Sequence, residues 1–291
     1  MAKPKQILAI LVLASALTDS WSATTIDAVN RYADGANFGW MDWHGAGVDL
    51  PNGAIMGEYY CSGHVYAANV GWITLGTGSP TNGISYSNQS GDDFGVNQDG
   101  LGNLRGYAYG ANIGWINFEA IGAPRINLLN GRMSGYAWSA NCGWISLSNA
   151  VAYVQTDHLS PGAIAPDGLP VAWLLTNFGT TNVDASVDPT GKGMTIGQDY
   201  LAGTDPNNPN SLLRITSGSF SAGGTSNVLT WSSAPTRLYY LQKSTDLASG
   251  IWADTGLGLI PPDGASTVRG ITDTNAPTRL YRVRAVLPLT P

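Results

Sequence analysis

The chain has 291 residues, of which 43% are apolar and 12% charged, with 37 Gly, 10 Trp, 13 Tyr and 2 Cys. Low charge with this much apolar material excludes an intrinsically disordered chain, two cysteines exclude a disulfide-stapled miniprotein, and one short apolar run excludes a multispan helical membrane protein. A formal net charge of −6 without any Lys/Arg-rich stripe in the acidic portions sets nucleic acid aside as a partner.

In chain order, Lys3 and Lys5 precede an apolar stretch from Ile7 to Leu17 and a small, polar exit from Thr18 to Ala23. This layout predicts a signal peptide over residues 1–22, cleaved after Ser22 or Ala23. The run is short of the ~20 residues a bilayer span needs, so the mature chain is expected to be secreted or at the cell surface, with no transmembrane span. In an oxidising destination, Cys61 and Cys142 are expected to form a disulfide.

Residues 23–155 carry one phrase four times: RYADGANFGWMDW, GHVYAANVGWITL, GYAYGANIGWINF and GYAWSANCGWISL. Ala-Asn-x-Gly-Trp recurs in each copy, which places Trp40, Trp72, Trp115 and Trp144 at intervals of 32, 43 and 29 residues. Each copy reads as a β-hairpin. Tyr107 and Tyr109 alternate with smaller residues on the incoming strand, Asn and Gly form the turn, and Trp115 opens the outgoing strand. One hairpin cannot bury its face alone, so the array is expected to close or stack in a propeller-like, barrel-like or solenoid arrangement. The repeated Trp residues are expected to be the core of each unit.

Aromatic residues outside that slot suggest a ligand surface, because flat rings beside Asn or Asp can stack on sugars. Trp43, Tyr66, Tyr109 and Trp138 are the candidates for a carbohydrate-binding face.

Residues 156–210 form a linker and a short helix-loop-helix. Asp167-Gly-Leu-Pro170 leads into an apolar stretch ending at Gly179, and a second helix is expected over about Thr195 to Ala202. The segment from Asp188 to Asp199, followed by Tyr-Leu-Ala-Gly-Thr-Asp-Pro, resembles the calcium loops of dockerin-like and thrombospondin type 3-like segments in exported bacterial surface proteins. The resemblance implies Asp188, Thr190 and Asp199 as ligands of a degenerate EF-hand-type loop. Lys192 stands where another oxygen ligand belongs and opposes Ca2+, and no other cofactor is expected.

Residues 211–291 read as strands separated by Gly, Ser, Asp and Pro, a pattern for a β-sandwich. Leu280-Tyr-Arg-Val-Arg-Ala-Val286 resembles the last strand of a fibronectin type III-like module, which implies a spacer or docking role. The whole chain is thus expected to be mainly β. Its three His residues are scattered, its only Glu residues are Glu58 and Glu119, and it carries no nucleophile elbow, phosphate loop or zinc-protease motif. The expectation is a non-catalytic structural or adhesive surface protein that contacts other surface proteins or itself. The alternative is a carbohydrate-binding protein, and a glycan hydrolase is the remote one.

Overall fold

The computed structural model describes residues 24–45, 53–220, 226–272 and 280–290. The signal-peptide reading falls on residues outside this set. The protein is mainly β, and the four repeats build one closed sheet. Its eight strands, numbered in chain order, are β1 (Ile26–Gly35), β2 (Gly39–Asp42), β3 (Ser62–Ala67), β4 (Gly71–Gly76), β5 (Leu104–Gly110), β6 (Gly114–Phe118), β7 (Tyr136–Ser139) and β8 (Gly143–Ser146). Every neighbouring pair is antiparallel, and β8 returns to β1 through Ser146–Asp34 and Ile145–Gly35, so the array is a barrel rather than a blade ring or a solenoid. Closure leaves these eight strands without a free edge.

The Ala-Asn-x-Gly-Trp element explains how the ring closes. In each hairpin the x residue donates its N–H to the carbonyl three residues back, at 3.1 to 3.3 Å, and the following glycine has φ between +71° and +84°. This is a three-residue loop completed by a left-handed residue, a conformation that glycine adopts without penalty. The Asn itself does not take a positive φ. Its amide reaches across the seam to the neighbouring hairpin instead. Asn69 Nδ2 donates to Phe38 O at 2.9 Å, Asn112 to Val70 O at 3.1 Å, Asn141 to Ile113 O at 3.0 Å and Asn37 to Cys142 O at 3.0 Å. The four bonds run in a circle, and the last joins residues 105 positions apart.

Three layers of side chains fill the barrel. Phe38, Val70, Ile113 and Cys142 plug the turn end. Met41, Ile73, Ile116 and Ile145 form the middle layer against Ala33, Val65, Ala108 and Ala137, and Trp43, Leu75, Phe118 and Leu147 form the third. Strand side chains alternate between faces, so inward residues at the third and fifth places counted from the turn glycine force the residue directly after that glycine outward.

That register corrects two expectations. The repeated Trp residues are not core: Trp40, Trp115 and Trp144 are 48%, 46% and 40% exposed, and Trp72 is half-buried. The cysteines are free thiols, not a disulfide. Cys142 lies in a turn, whereas Cys61 precedes β3 at the far end, and a six-residue strand is roughly 20 Å long. A disulfide tolerates a Cα separation of only about 7 Å. Burial pushes the Cys61 thiol up to about 12, which leaves it unreactive at neutral pH.

After the barrel come α1 (Val171–Phe178), preceded by Pro170, and α2 (Ile196–Ala202), opened by a capping box between Thr195 and Gln198. They pack through Leu174, Ile196 and an edge-on Trp173–Tyr200 contact at 5.4 Å. The C-terminal strands are β9 (Ile215–Phe220), β10 (Ser226–Ser232), β11 (Leu238–Ser244), β12 (Ala253–Asp254), β13 (Ser266–Thr272) and β14 (Leu280–Val286). They form two three-stranded sheets, β9-β10-β13 and β12-β11-β14. Leu229, Trp231 and Ile271 of the first sheet share a core with Tyr239 and Leu241 of the second, giving a sandwich.

Helix α2 joins the parts. Tyr200 donates its hydroxyl proton to the Glu58 carboxylate of the barrel segment, at 3.1 and 3.0 Å to the two oxygens. Arg237 of the sandwich donates to the carbonyls of Tyr200 and Leu201, a cation at the helix C-terminus where the dipole favours one. Burial holds the Glu58 carboxyl above the ordinary range, against the opposing pull of the Tyr200 hydroxyl and of Arg237. A carboxyl whose folded pKa exceeds its unfolded value contributes stability below the unfolded pKa and loses that contribution as pH rises through the folded one. Thermal melts between about pH 4 and pH 8 are therefore expected to show a falling component, set against the unfolded glutamate value of about 4.3, that Glu58→Gln abolishes.

Candidate functional site

The outward register turns the repeats into a band of aromatic side chains around the barrel. The residue facing the repeated Trp across each hairpin is also aromatic in three copies. Tyr66–Trp72, Tyr109–Trp115 and Trp138–Trp144 pack with ring centroids 4.9, 4.9 and 5.0 Å apart. In the first copy that partner is Asp34, and Trp40 meets Tyr32 instead, at 6.5 Å.

The stations are not equivalent. In the second copy His64 stands edge-on to Trp72 at 6.3 Å, in the place that Tyr32, Tyr107 and Tyr136 take beside their own Trp residues at 5.9 to 6.5 Å. In the third, Phe94 at the end of the long 76–95 insertion lies edge-on to Trp115 at 4.8 Å and to Tyr109 at 6.3 Å. That insertion is self-supporting: Asp93 accepts the N–H groups of Thr81 and Ser87, both at 3.0 Å, and these bonds hold its carboxyl below the usual range. Asp93 is thereby a loop-building residue.

The fourth copy adjoins a cleft. Trp138, Trp144 and Tyr136 are 41%, 40% and 49% exposed, and they line a cleft of about 230 Å³ with Asn117, Glu119 and Ile121. Trp138 sits across the β6–β7 seam from Asn117, so an aromatic wall and an amide meet through strand pairing alone. Asn117 Nδ2 donates to Glu119 Oε1, which orients the amide and leaves further carboxylate lone pairs for a ligand. A short 3-10 turn, Ala120–Gly122, closes one side, where a side chain at position 122 would collide with the Tyr136 carbonyl. Apolar walls with a few convergent polar groups are the ordinary composition of a small-molecule site.

Of the four residues nominated from sequence, Trp138 lies in this cleft. Tyr109 is exposed under Phe94, and Tyr66 is half-buried against Trp72. Trp43 is 1% exposed and is a core residue, the third-layer counterpart of Leu75, Phe118 and Leu147, so it offers no surface to a ligand. The sequence reading missed Trp144, Tyr136, Asn117 and Glu119. The signal for Trp144 was present, because period-2 alternation places it beside Trp138 once Ile145 is assigned inward.

A larger cleft of about 620 Å³ lies where barrel, helices and sandwich meet, lined by Glu58, Tyr59, Trp173, Asn177 and Arg237 among others. Its principal charges are engaged in joining the parts, Glu58 by Tyr200 and Arg237 by the α2 carbonyls.

In the 188–199 loop, Asp188 accepts the backbone N–H groups of Lys192 and Gly193 at 3.2 and 2.7 Å, the Gly193 bond being the main cause of its lowered pKa. Asp199 is fully buried, and the Lys192 ammonium lies 2.8 Å from its Oδ1. The same ammonium donates to the carbonyls of Asp205 at 2.6 Å and Asn208 at 3.3 Å, and the Thr204 hydroxyl donates to Asp199. Thr190 Oγ1 and Asp199 Oδ2 are buried without partners among the described residues. A calcium ion needs six to eight oxygens around one point. Here an ammonium binds the carboxylate and two carbonyls, so the residues present do not fit the ion. Among the described residues no three His, Cys, Asp or Glu side chains gather to hold a metal.

No protein-family model, curated protein or solved structure matches this chain.

Proposed function

We propose that the chain is an exported surface protein that binds carbohydrate through the Trp138–Trp144 face of its barrel, with the helix pair and the C-terminal sandwich serving as spacer and docking unit. The observation that carries this reading is the open cleft where three exposed aromatic rings adjoin Asn117 and Glu119. Saccharide rings present C–H faces that suit aromatic walls, and hydroxyls that suit an amide and a carboxylate. The two glutamates fit binding better than hydrolysis: Glu119 is exposed and tied to Asn117, while Glu58 is engaged by Tyr200. The barrel's closure counts against assembly by strand addition, because no strand edge is on offer among its eight strands.

A glycan-array screen of the chain without its first 22 residues, followed by titration of the best hit, tests the proposal. Trp138→Ala and Trp144→Ala are each expected to weaken binding by about tenfold or more, the usual consequence of truncating an aromatic anchor. Both should leave the melting temperature close to that of the parent, since both side chains stand outside the core. Absence of any glycan hit, with concentration-dependent oligomers abolished by Trp138→Ala, would assign the same face to self-association instead.

A further inference from the structure

We infer that Lys192 is the resident cation of the 188–199 loop, a side-chain ammonium that has replaced a metal ion and makes the helix-loop-helix independent of calcium. The argument rests on where the charge sits. Lys192 reaches back into its own loop, its side chain 1% exposed, and binds a carboxylate that is 0% exposed. Its three protons meet three acceptors: Asp199 Oδ1, the Asp205 carbonyl and the Asn208 carbonyl. Those acceptors come from α2 and from the chain beyond it, so one ammonium ties together segments that a central ion would otherwise hold. An ammonium offers three donors and no acceptor, which matches an all-oxygen pocket of this size. Asp199 Oδ2 is left buried without a partner among the described residues, an oxygen of the same carboxylate that one ammonium does not serve.

The inference is separate from the carbohydrate reading, and its test does not depend on a glycan. Melting temperatures of the full chain without its first 22 residues are compared in EDTA and in millimolar CaCl2, together with calorimetric titration of calcium. The parent chain is expected to melt at the same temperature in both and to show no binding heat. Lys192→Asp and Lys192→Asn each remove the ammonium and supply an oxygen. They are expected to melt lower in EDTA and to recover with calcium, with a dissociation constant on the order of 10⁻⁴ to 10⁻³ M, the range of extracellular modules. A further expectation for the parent chain is a slowly exchanging Lys192 ammonium signal in 15N NMR at neutral pH. A parent chain that loses stability in EDTA, or Lys192 variants whose stability is indifferent to calcium, would overturn the inference.

Discussion

Trp43→Ala is expected to destabilise the barrel by about 3 to 5 kcal/mol, the usual range for deleting a fully buried aromatic side chain. In a domain of this size that loss lowers the melting temperature by roughly 10 °C or more. The effect is large because Trp43 is one of four residues in the third layer, 1% exposed, and the other three positions are already filled by Leu75, Phe118 and Leu147. The other layer members are held in place, each standing on or directly after its own strand. The Trp43 indole N–H has no hydrogen-bond partner among the described residues, so the side chain contributes volume rather than a polar contact. Trp43→Phe, which copies the third repeat, should therefore lose much less than Trp43→Ala. Urea or thermal denaturation of the three proteins decides the matter. A Trp43→Ala chain of unchanged stability that had lost glycan binding would restore Trp43 to the ligand surface and refute its place in the core.

The second large effect concerns the ring of asparagines. Each of Asn37, Asn69, Asn112 and Asn141 donates to a carbonyl on the neighbouring hairpin, and each bond crosses a seam held by few strand pairs: two residue pairs join β4 to β5, and two join β6 to β7. Replacing one Asn by Ala removes a bond worth about 1 kcal/mol and leaves a half-sheltered carbonyl unpaired, for a loss of roughly 1 to 2 kcal/mol. Replacing all four is expected to cost on the order of 4 kcal/mol or more, with departures from additivity because the bonds share one ring. Asn37→Ala is the most informative single change. Its bond to Cys142 O closes the first hairpin onto the last, so its loss should open the barrel at the β8–β1 seam and raise hydrogen exchange at Asp34 to Ala36 before other seams respond. Uniform exchange around all four seams would show that strand pairing alone closes the barrel.

Much of this architecture was legible in the sequence. Four copies of Ala-Asn-x-Gly-Trp announced hairpins and their turns, Pro170 and Gly179 marked the ends of α1, and the span from Thr195 to Ala202 marked α2. The inward face was legible too, in Met41, Ile73, Ile116 and Ile145 directly after each Trp. Weighing the size of the Trp above the alternation of the strand put it on the wrong side. Closure was not legible, because β8 meets β1 across more than a hundred residues and no local rule specifies that pairing. The role of the Asn was hidden for the same reason, since its partner belongs to another repeat. At the candidate site Trp138 could be named, but Asn117 and Glu119 reach it only through the β6–β7 seam. For Lys192 the sequence showed a charge that conflicts with calcium. Only the fold shows that the long side chain turns inward and satisfies the conflict itself.

The circular order of the asparagine bonds also bears on how such a chain can change. An open stack grows or shrinks by one unit and stays sound, but a ring in which every hairpin donates to one neighbour and accepts from the other has no terminal member to add to. Loss of one hairpin would strand a donor and an acceptor on opposite sides of the gap, and a fifth would have to be cut into an existing seam. Variation is therefore directed to the stretches that link the hairpins at the end away from the turns, which is where the 76–95 insertion lies, and to the outward aromatic positions. The four stations around the wall are free to diverge one at a time while the frame that carries them keeps a fixed count.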